Sequence, residues 1–342
     1  MPLINLLFLF LFSMLASCQR NEKTNLTIKV GVPKNVSFAL FWIAKEKLFF
    51  EKQKINVEIF SDGDLTKLYQ NGKVDLICSN LTEPILIHSE GINTQIIYRF
   101  SYTSGNDIVI ARPEFKKLSD LKGKIISFDR VNSSSHIFIE EVLDKNGVKE
   151  GEYLTKNLSL QNMVTEFQNG KIQAGHTNIR YLHELDPKSF SVIARSSDLP
   201  DLVTDVMSGR TKFLFKHKTD IKRLINALLL AKEYYETHRE ESIEILSKTF
   251  GEKNELISEE LNSLRFLSRE ENFQSLGTVK KEHEETNPIK THSFHMNQEK
   301  KGALFLAAET MIQFLRTRGQ LYKNPNLNQL IVNEYLKEID SP

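Results

Sequence analysis

The sequence predicts an α/β fold with mainly parallel strands, laid out as two successive sets of units. Three observations carry this. Strand-like and helix-like segments alternate from Leu26 onward, glycines stop one helical segment after another, and Ser101-Tyr102-Thr103-Ser104-Gly105 separates the two sets. In the first set, Leu26 to Val32 alternates as a strand and stops at Pro33. Leu40, Ile43, Ala44 and Leu48 then fall on one face of a helix over Ser37 to Phe49. A strand over Ile55 to Phe60 closes at Ser61-Asp62-Gly63, and Asp64 to Gln70 is a short helix ended by Gly72. Val74 to Cys78 reads as a buried strand, Thr82 to Ser89 as a helix stopped by Gly91, and Thr94 to Phe100 as another strand. The second set has strands at Ile108 to Ala111, Lys124 to Phe128, Ile172 to His176 and Ser191 to Arg195. Its best helix starts at Ser133-Ser134-Ser135, whose hydroxyls suit a first turn, and runs to about Asn146 before Gly147. The chain turns again near Pro200 and beyond Asp220 is mostly helical, most clearly over Ile221 to Tyr235. Arg269 to Asn297 is polar and weakly periodic, which predicts an extended surface loop.

The amino-terminal stretch from Leu3 to Leu15 is apolar but short, the form of a secretion signal and not of a membrane span. It ends in Leu15-Ala16-Ser17-Cys18 before the polar Gln19-Arg20-Asn21-Glu22-Lys23, which resembles the bacterial lipobox, although Met1 supplies the one positive charge ahead of it. The resemblance implies a signal over 1–17, lipidation (palmitate among the acyl chains) at Cys18, and an anchor linker over 18–25. The mature protein is then exported and held to the cell-envelope membrane, on its periplasmic or extracellular face, since each buried CH₂ adds about 0.8 kcal/mol. The remaining cysteine, Cys78, reads as a small core residue. With 45 basic and 44 acidic residues the net charge is +1, which favours neither nucleic acid nor a polybasic membrane patch. His283, His292 and His295 lie in the polar segment without ligand spacing, so no metal and no cofactor is expected. No Gly-x-Ser-x-Gly, phosphate-loop or His-Glu-x-x-His run supports an enzyme.

Several segments together resemble the type II periplasmic-binding-protein fold, in the group serving nitrate, sulfonate, taurine and thiamine-precursor importers (SsuA/THI5-like, NMT1-like). They are Ile28 to Val32, Ala44 to Glu51 with Ile55 to Glu58, Asn71 to Leu76, Leu118-Ser119-Asp120-Leu121-Lys122-Gly123-Lys124, Phe167 to Ala174, and Ala303 to Gly319 with Tyr335-Leu336. The resemblance implies two lobes, 26–103 plus 203–342 and 104–202, with the chain crossing near Tyr102 to Gly105 and again near Leu202 to Asp205. It also implies a monomeric, non-enzymatic solute-binding component of an ABC importer, whose partners are a small polar or anionic solute and the importer permease. An enzyme of pyrimidine or thiamine-type precursor metabolism, or a partner of a membrane sensor, are the alternatives on the same fold. Gln173 stands where the family often has an acid, Thr177-Asn178-Ile179 replaces its Trp-Glu-Pro run, and the cysteine cluster of its pyrimidine-forming enzymes is absent.

In such a fold the solute lies at the carboxyl ends of strands, where helix starts offer free N–H groups. That rule selects Asn35 to Trp42, Ser79 to Glu83, Ser101 to Asn106, Asn132 to His136 and, more weakly, Thr177-Asn178. Phe38, Phe41 and Trp42 are candidates for an aromatic wall, against the commoner use of helical aromatics in a core. Ser79, Asn80 and Tyr102 are candidate polar contacts, and Glu83 is either a contact or a first-turn acid complementing the helix dipole. Ser133, Ser134 and Ser135 suit an anionic or zwitterionic head group, against plain capping. Trp42 and Asn80 are expected on one side of the solute and Ser133 to Ser135 on the other.

Overall fold

The computed structural model describes residues 26–103, 105–131, 133–199, 201–279 and 300–337. The expectations for Cys18, the signal and linker segments, and His283, His292 and His295 lie outside the described residues. The first set of units runs β1 (Thr27–Gly31), α1 (Ala39–Glu46), α2 (Phe49–Lys52), β2 (Asn56–Phe60), α3 (Leu65–Gln70), β3 (Leu76–Asn80), α4 (Thr82–Ser89) and β4 (Thr94–Thr103). In β1 the fully buried Ile28 and Val30 alternate with exposed Thr27 and Lys29, the pattern of a strand covered on one face. The single helix expected over Ser37 to Phe49 is divided. A 3-10 turn at Val36–Phe38 precedes α1, and Leu48, exposed and left-handed at φ 56°, breaks the chain before α2.

The second set runs β5 (Asp107–Ala111), β6 (Ile125–Phe128), α5 (Ser134–Lys145), β7 (Leu154–Asn157), α6 (Leu160–Gln168), β8 (Ala174–Asn178), α7 (Ile179–Leu182) and β9 (Ser191–Arg195). The chain then returns through β10 (Thr204–Arg210), α8 (Thr211–Lys216), α9 (Lys218–Thr237), α10 (Arg239–Phe250), α11 (Asn254–Asn262) and β11 (Leu264–Phe266). It ends with α12 (Arg269–Ser275), β12 (Thr278–Val279), β13 (Lys300–Lys301), α13 (Ala303–Thr317) and α14 (Leu327–Leu330). One sheet has the order β11-β4-β10-β3-β1-β2 and the other β7-β6-β8-β5-β9, while β12 and β13 pair separately. The chain passes from the first sheet to the second after β4 and back before β10.

The fold is α/β, but its sheets are mixed. Among the described residues, the parallel strand pairs are β1 with β2 and β3, and β6 with β7 and β8, besides an isolated parallel bridge between Ile96 and Ile331. The returning β10 inserts between β3 and β4 antiparallel to both, and β5 runs antiparallel to β8 and β9. The physical reason is the crossing itself: a strand that re-enters a sheet from the far side arrives in the opposite direction. The segment read as loop from Arg269 begins instead as helix α12. Ser268 and Glu271 cap its start reciprocally, and the buried Asn272 accepts from the Arg99 N–H at 2.7 Å.

The core of the first body is built on α9, whose Ile221, Leu224, Ile225, Leu228 and Ala231 are fully buried at helical spacing. Each large apolar side chain so placed contributes about 1.5–3 kcal/mol. The return crossing is tied down by Arg99, itself 1% exposed, which donates to Thr204 Oγ1 at 2.7 Å, Ser275 Oγ at 3.0 Å and Asp201 Oδ1 at 2.6 Å. The outward crossing uses Gly105 at φ +104°, whose N–H donates to Ser196 Oγ at 3.1 Å. Among the described residues no helix is long and apolar enough to cross a membrane.

Candidate functional site

The chain crosses between the two sheets from β4 to β5 and from β9 to β10, so the starts of β5 and β10 both lie at the crossings. Because β10 runs against β3, its first residues lie at the carboxyl end of β3: Asp205 pairs with Asn80 on one side and with Ser101 of β4 on the other. Directly opposed residues share a face of the sheet, so Asn80, Asp205 and Ser101 form a polar row across three strands. Ser37, from the turn after β1, hydrogen-bonds the Asp205 carboxyl, and Asp107 at the start of β5 faces it from the other sheet. Burial pushes the Asp205 carboxyl up to about 7. The Ser37 bond opposes this, the Asp107 charge adds to it, and Arg99 opposes it. The Asp107 carboxylate meets His176 Nε2 at 2.8 Å. Ser101 is fully buried and its hydroxyl has no partner among the described residues.

The sequence-selected loops therefore do not form a charge-poor donor set. The strand ends add Asp107 and Asp205, and neither was among the candidates: Asp107 precedes an apolar strand, and Asp205 opens a strand whose Thr-Asp-Val-Met-Ser-Gly-Arg run lacks clear alternation. Ser37 lay within a selected loop. Asn80 is in the polar row, its Oδ1 accepting from the Thr82 N–H at 3.2 Å, while the Ser79 hydroxyl donates to the Asn80 carbonyl at 3.1 Å. Glu83 starts α4 and accepts from the Thr66 hydroxyl at 2.6 Å, with Arg130 of the opposite body 4.0 Å away.

The aromatic wall is instead part of the core. Trp42 is 5% exposed, lies edge-on to Phe250 of α10 with ring centroids 6.1 Å apart, and donates its indole N–H to the carbonyl of Pro33, in the loop after β1, at 3.4 Å. Phe38 and Phe41, both buried, pack on Phe100. Ser133 caps α5 by accepting from the His136 N–H and exchanges a 2.8 Å bond with the Ser135 hydroxyl, which accepts from the Asp129 N–H at 3.2 Å. These two serines spend their polar atoms on the loop itself; Ser134, half-buried, is the first residue of α5. Thr177 is buried opposite Ile108, on the face packed by Met163 and Phe167, and Asn178 caps α7 by accepting from the Tyr181 N–H at 3.4 Å. Tyr102 lies in β4 opposite Thr204, and its side chain is outside the described part.

A separate groove of about 760 Å³ runs along β6, β7 and the end of α13, lined by Phe128, His136, Tyr153, Lys156 and Arg318 among others. Its charges are already matched. Arg318 pairs with Glu140 at 2.9 Å and Glu150 at 2.8 Å, and Lys156 with Glu166 at 2.5 Å. Burial alone would raise the Glu140 carboxyl, but hydrogen bonds from His136 and Tyr153 and the charge of Arg318 outweigh it and hold it below its ordinary value. Cys78, buried in β3, has its thiol pushed well up by burial and by Asp205, so it is an inert core residue. Among the described residues no cluster of His, Cys, Asp and Glu is arranged to hold a metal.

Two mixed sheets joined by two chain crossings are the layout of the periplasmic-binding-protein class of fold. Within that class the chain belongs to the NMT1/THI5-like family, whose model matches residues 35–242. A Brucella abortus (strain 2308) protein described as a "Putative binding protein" is 23% identical over 237 residues, covering 66% of this chain and 72% of its own. The periplasmic aliphatic sulphonate binding protein SsuA from Escherichia coli superposes with a TM-score of 0.71 at 17% identity, over 92% of this chain and 94% of that one. The ligand binding component of an ABC-type import system from Staphylococcus aureus gives 0.67 at 12% identity, over 92% and 99%. At these identities the structural likenesses show the fold. These three relatives are described by binding.

Proposed function

We propose that the chain is the extracytoplasmic solute-binding component of an ABC importer, holding a small polar organic solute between the bodies 26–103 plus 203–342 and 104–202. In this reading Cys18 carries the lipid that keeps the protein at the membrane, and a permease is the receiving partner. The observation that carries the proposal is the row of Asn80, Asp205 and Ser101 across one sheet, beside the chain crossings and within reach of the Asp107 charge from the other sheet. Polar atoms gathered between bodies that are joined by two segments suit capture by closure, since the strands of each core stay intact as the crossings bend. The family and the descriptions of its relatives support the same reading.

A thermal-shift screen of the mature chain over sulfonates, nitrate, pyrimidines, amino acids and polyamines tests it, because a specific ligand raises the melting point as its excess over Kd grows. A solute that stabilises the protein, and does so less after Asn80→Ala, is the expected result. Stabilisation unaffected by every change in the polar row would place the solute elsewhere and refute the cleft. For the anchor, Cys18→Ala should abolish fatty-acid labelling and release the protein from membranes, whereas unchanged labelling removes the lipoprotein reading.

A further inference from the structure

Resting on the solute-binding role, we propose that the cleft takes a small solute carrying a protonated amine, with the Asp205 carboxylate as counter-ion and the Ser101 hydroxyl as hydrogen-bond acceptor. At the crossings two carboxylates, Asp205 and Asp107, lie close enough to act on each other. Asp205 enters no ion pair among the described residues. The nearest guanidinium, Arg99, is committed to Asp201, Thr204 and Ser275. Asp107 is already bridged to His176, and Glu83 is met at 4.0 Å by Arg130, whose side chain is 65% exposed at the rim. A sulfonate or nitrate placed here would add a third negative group beside Asp205 and Asp107, in surroundings that screen poorly. An ammonium group supplies the missing positive charge.

A second and independent observation concerns neutral groups. Ser101 is 0% exposed and its hydroxyl, on the face that Asp205 and Asn80 share, has no partner among the described residues. Tyr98, Ser127, Thr177, Ser208 and Ser242 also carry buried hydroxyls without a partner among the described residues, but of these Ser101 is the one paired with Asp205, in the row where a ligand donor would meet it. Asn80 spends its Oδ1 on the Thr82 N–H, which leaves its amide hydrogens for an oxygen elsewhere on the solute.

The sign of the pH dependence follows. Asp205 is faced by Asp107 from β5, Arg99 from β4, Ser37 from the turn after β1, and Cys78 from β3, whose thiol stays neutral. Burial pushes the Asp205 carboxyl up to about 7. An amine selects its ionised form, so amine binding releases a proton and tightens as pH rises from 6 to 8. An anion selects the protonated form and weakens over the same range.

Calorimetric titration of the mature chain with putrescine, ethanolamine, ethanesulfonate and nitrate at pH 6 and pH 8 decides the matter. We expect an amine to bind roughly tenfold tighter at pH 8, as a single ionisation centred near 7 requires. Asp205→Asn should weaken binding at least about tenfold and remove the pH dependence, with a melting point no lower than the parent's to show that it folds. Ser101→Ala should weaken binding less and leave the pH dependence. If ethanesulfonate or nitrate binds and Asp205→Asn leaves it unchanged or tightens it, the amine proposal is overturned while capture in the cleft stands. Amine binding indifferent to Asp205→Asn overturns it as well. Failure of all four probes to bind overturns the amine proposal, and the wider solute screen then decides the binding role separately.

Discussion

Arg180 of α7 grips Glu260 of α11 with a two-point fork, Nε to Oε1 at 3.0 Å and Nη2 to Oε2 at 3.2 Å, and so ties the second sheet's body to the first. Glu252 takes a third bond at 2.8 Å, and the Glu260 side chain is only 5% exposed. On another flank Arg318 ties the end of α13 to Glu140 and Glu150 of the second body. Arg180→Ala leaves a buried carboxylate without its fork, which costs about 1–3 kcal/mol. Because the lost bonds bridge the two bodies, small-angle scattering should also register a larger radius of gyration. A variant with an unchanged melting point and radius would mean that the fork does not hold the bodies together.

Trp42→Ala should lower stability by about 3–5 kcal/mol, the usual cost of truncating a buried aromatic. The indole is enclosed against Phe250 and bonded to the Pro33 carbonyl, so its removal opens a cavity inside one body. Urea unfolding of the empty protein measures this. A variant as stable as its parent would return Trp42 to the cleft wall.

For Asp205 the folded carboxyl, at about 7, lies above its ordinary value near 4, so the native state holds a proton that the unfolded chain gives up. Its contribution to stability is complete below pH 4 and is lost as pH rises to 7. Asp64, Asp120 and Glu166, held below their ordinary values by backbone or lysine hydrogen bonds, act in the opposite sense. The difference between the parent and Asp205→Asn isolates the Asp205 contribution. The asparagine variant should gain on its parent between pH 5 and pH 8, and a constant difference across that range would show that Asp205 is not buried against its own charge.

Ser133→Ala removes the acceptor of the His136 N–H at the start of α5 and should cost about 1 kcal/mol. Since that hydroxyl is engaged within the loop, solute binding should change far less than in Asn80→Ala. A Ser133→Ala protein of normal stability that no longer binds would make the serine a direct contact.

Sequence periodicity locates most elements because burial on one face writes itself into the chain. Ile28 and Val30 alternate with exposed residues, Gly72, Gly91 and Gly147 follow helices, and Ser133 sits one residue before its helix. β10 leaves no such mark. Val206, Met207 and Ser208 are buried in succession, so both of its faces are covered and no alternation is left, and polar residues occupy its start. Asn80 and Ser101 lay within loops the sequence selected, but their adjacency to Asp205 was not legible, because the three are neighbours only through strand pairing, which residue types do not encode. Trp42 shows the converse limit, because a helical aromatic reads the same whether its ring faces a core or a cleft.

The return of the chain through β10 and β11 also fixes an order of events during folding. The second sheet uses the uninterrupted stretch from Asp107 to Arg195, whereas the first cannot be completed until Phe266 has been delivered. Pairings between strands so distant in sequence close late, since the intervening loop entropy must be met first. The inner segment should therefore gain amide protection before β1, β3 and β4 in pulse-labelled refolding. A chain cut after Arg195 should retain a folded inner module while β3 and β4 stay open to exchange.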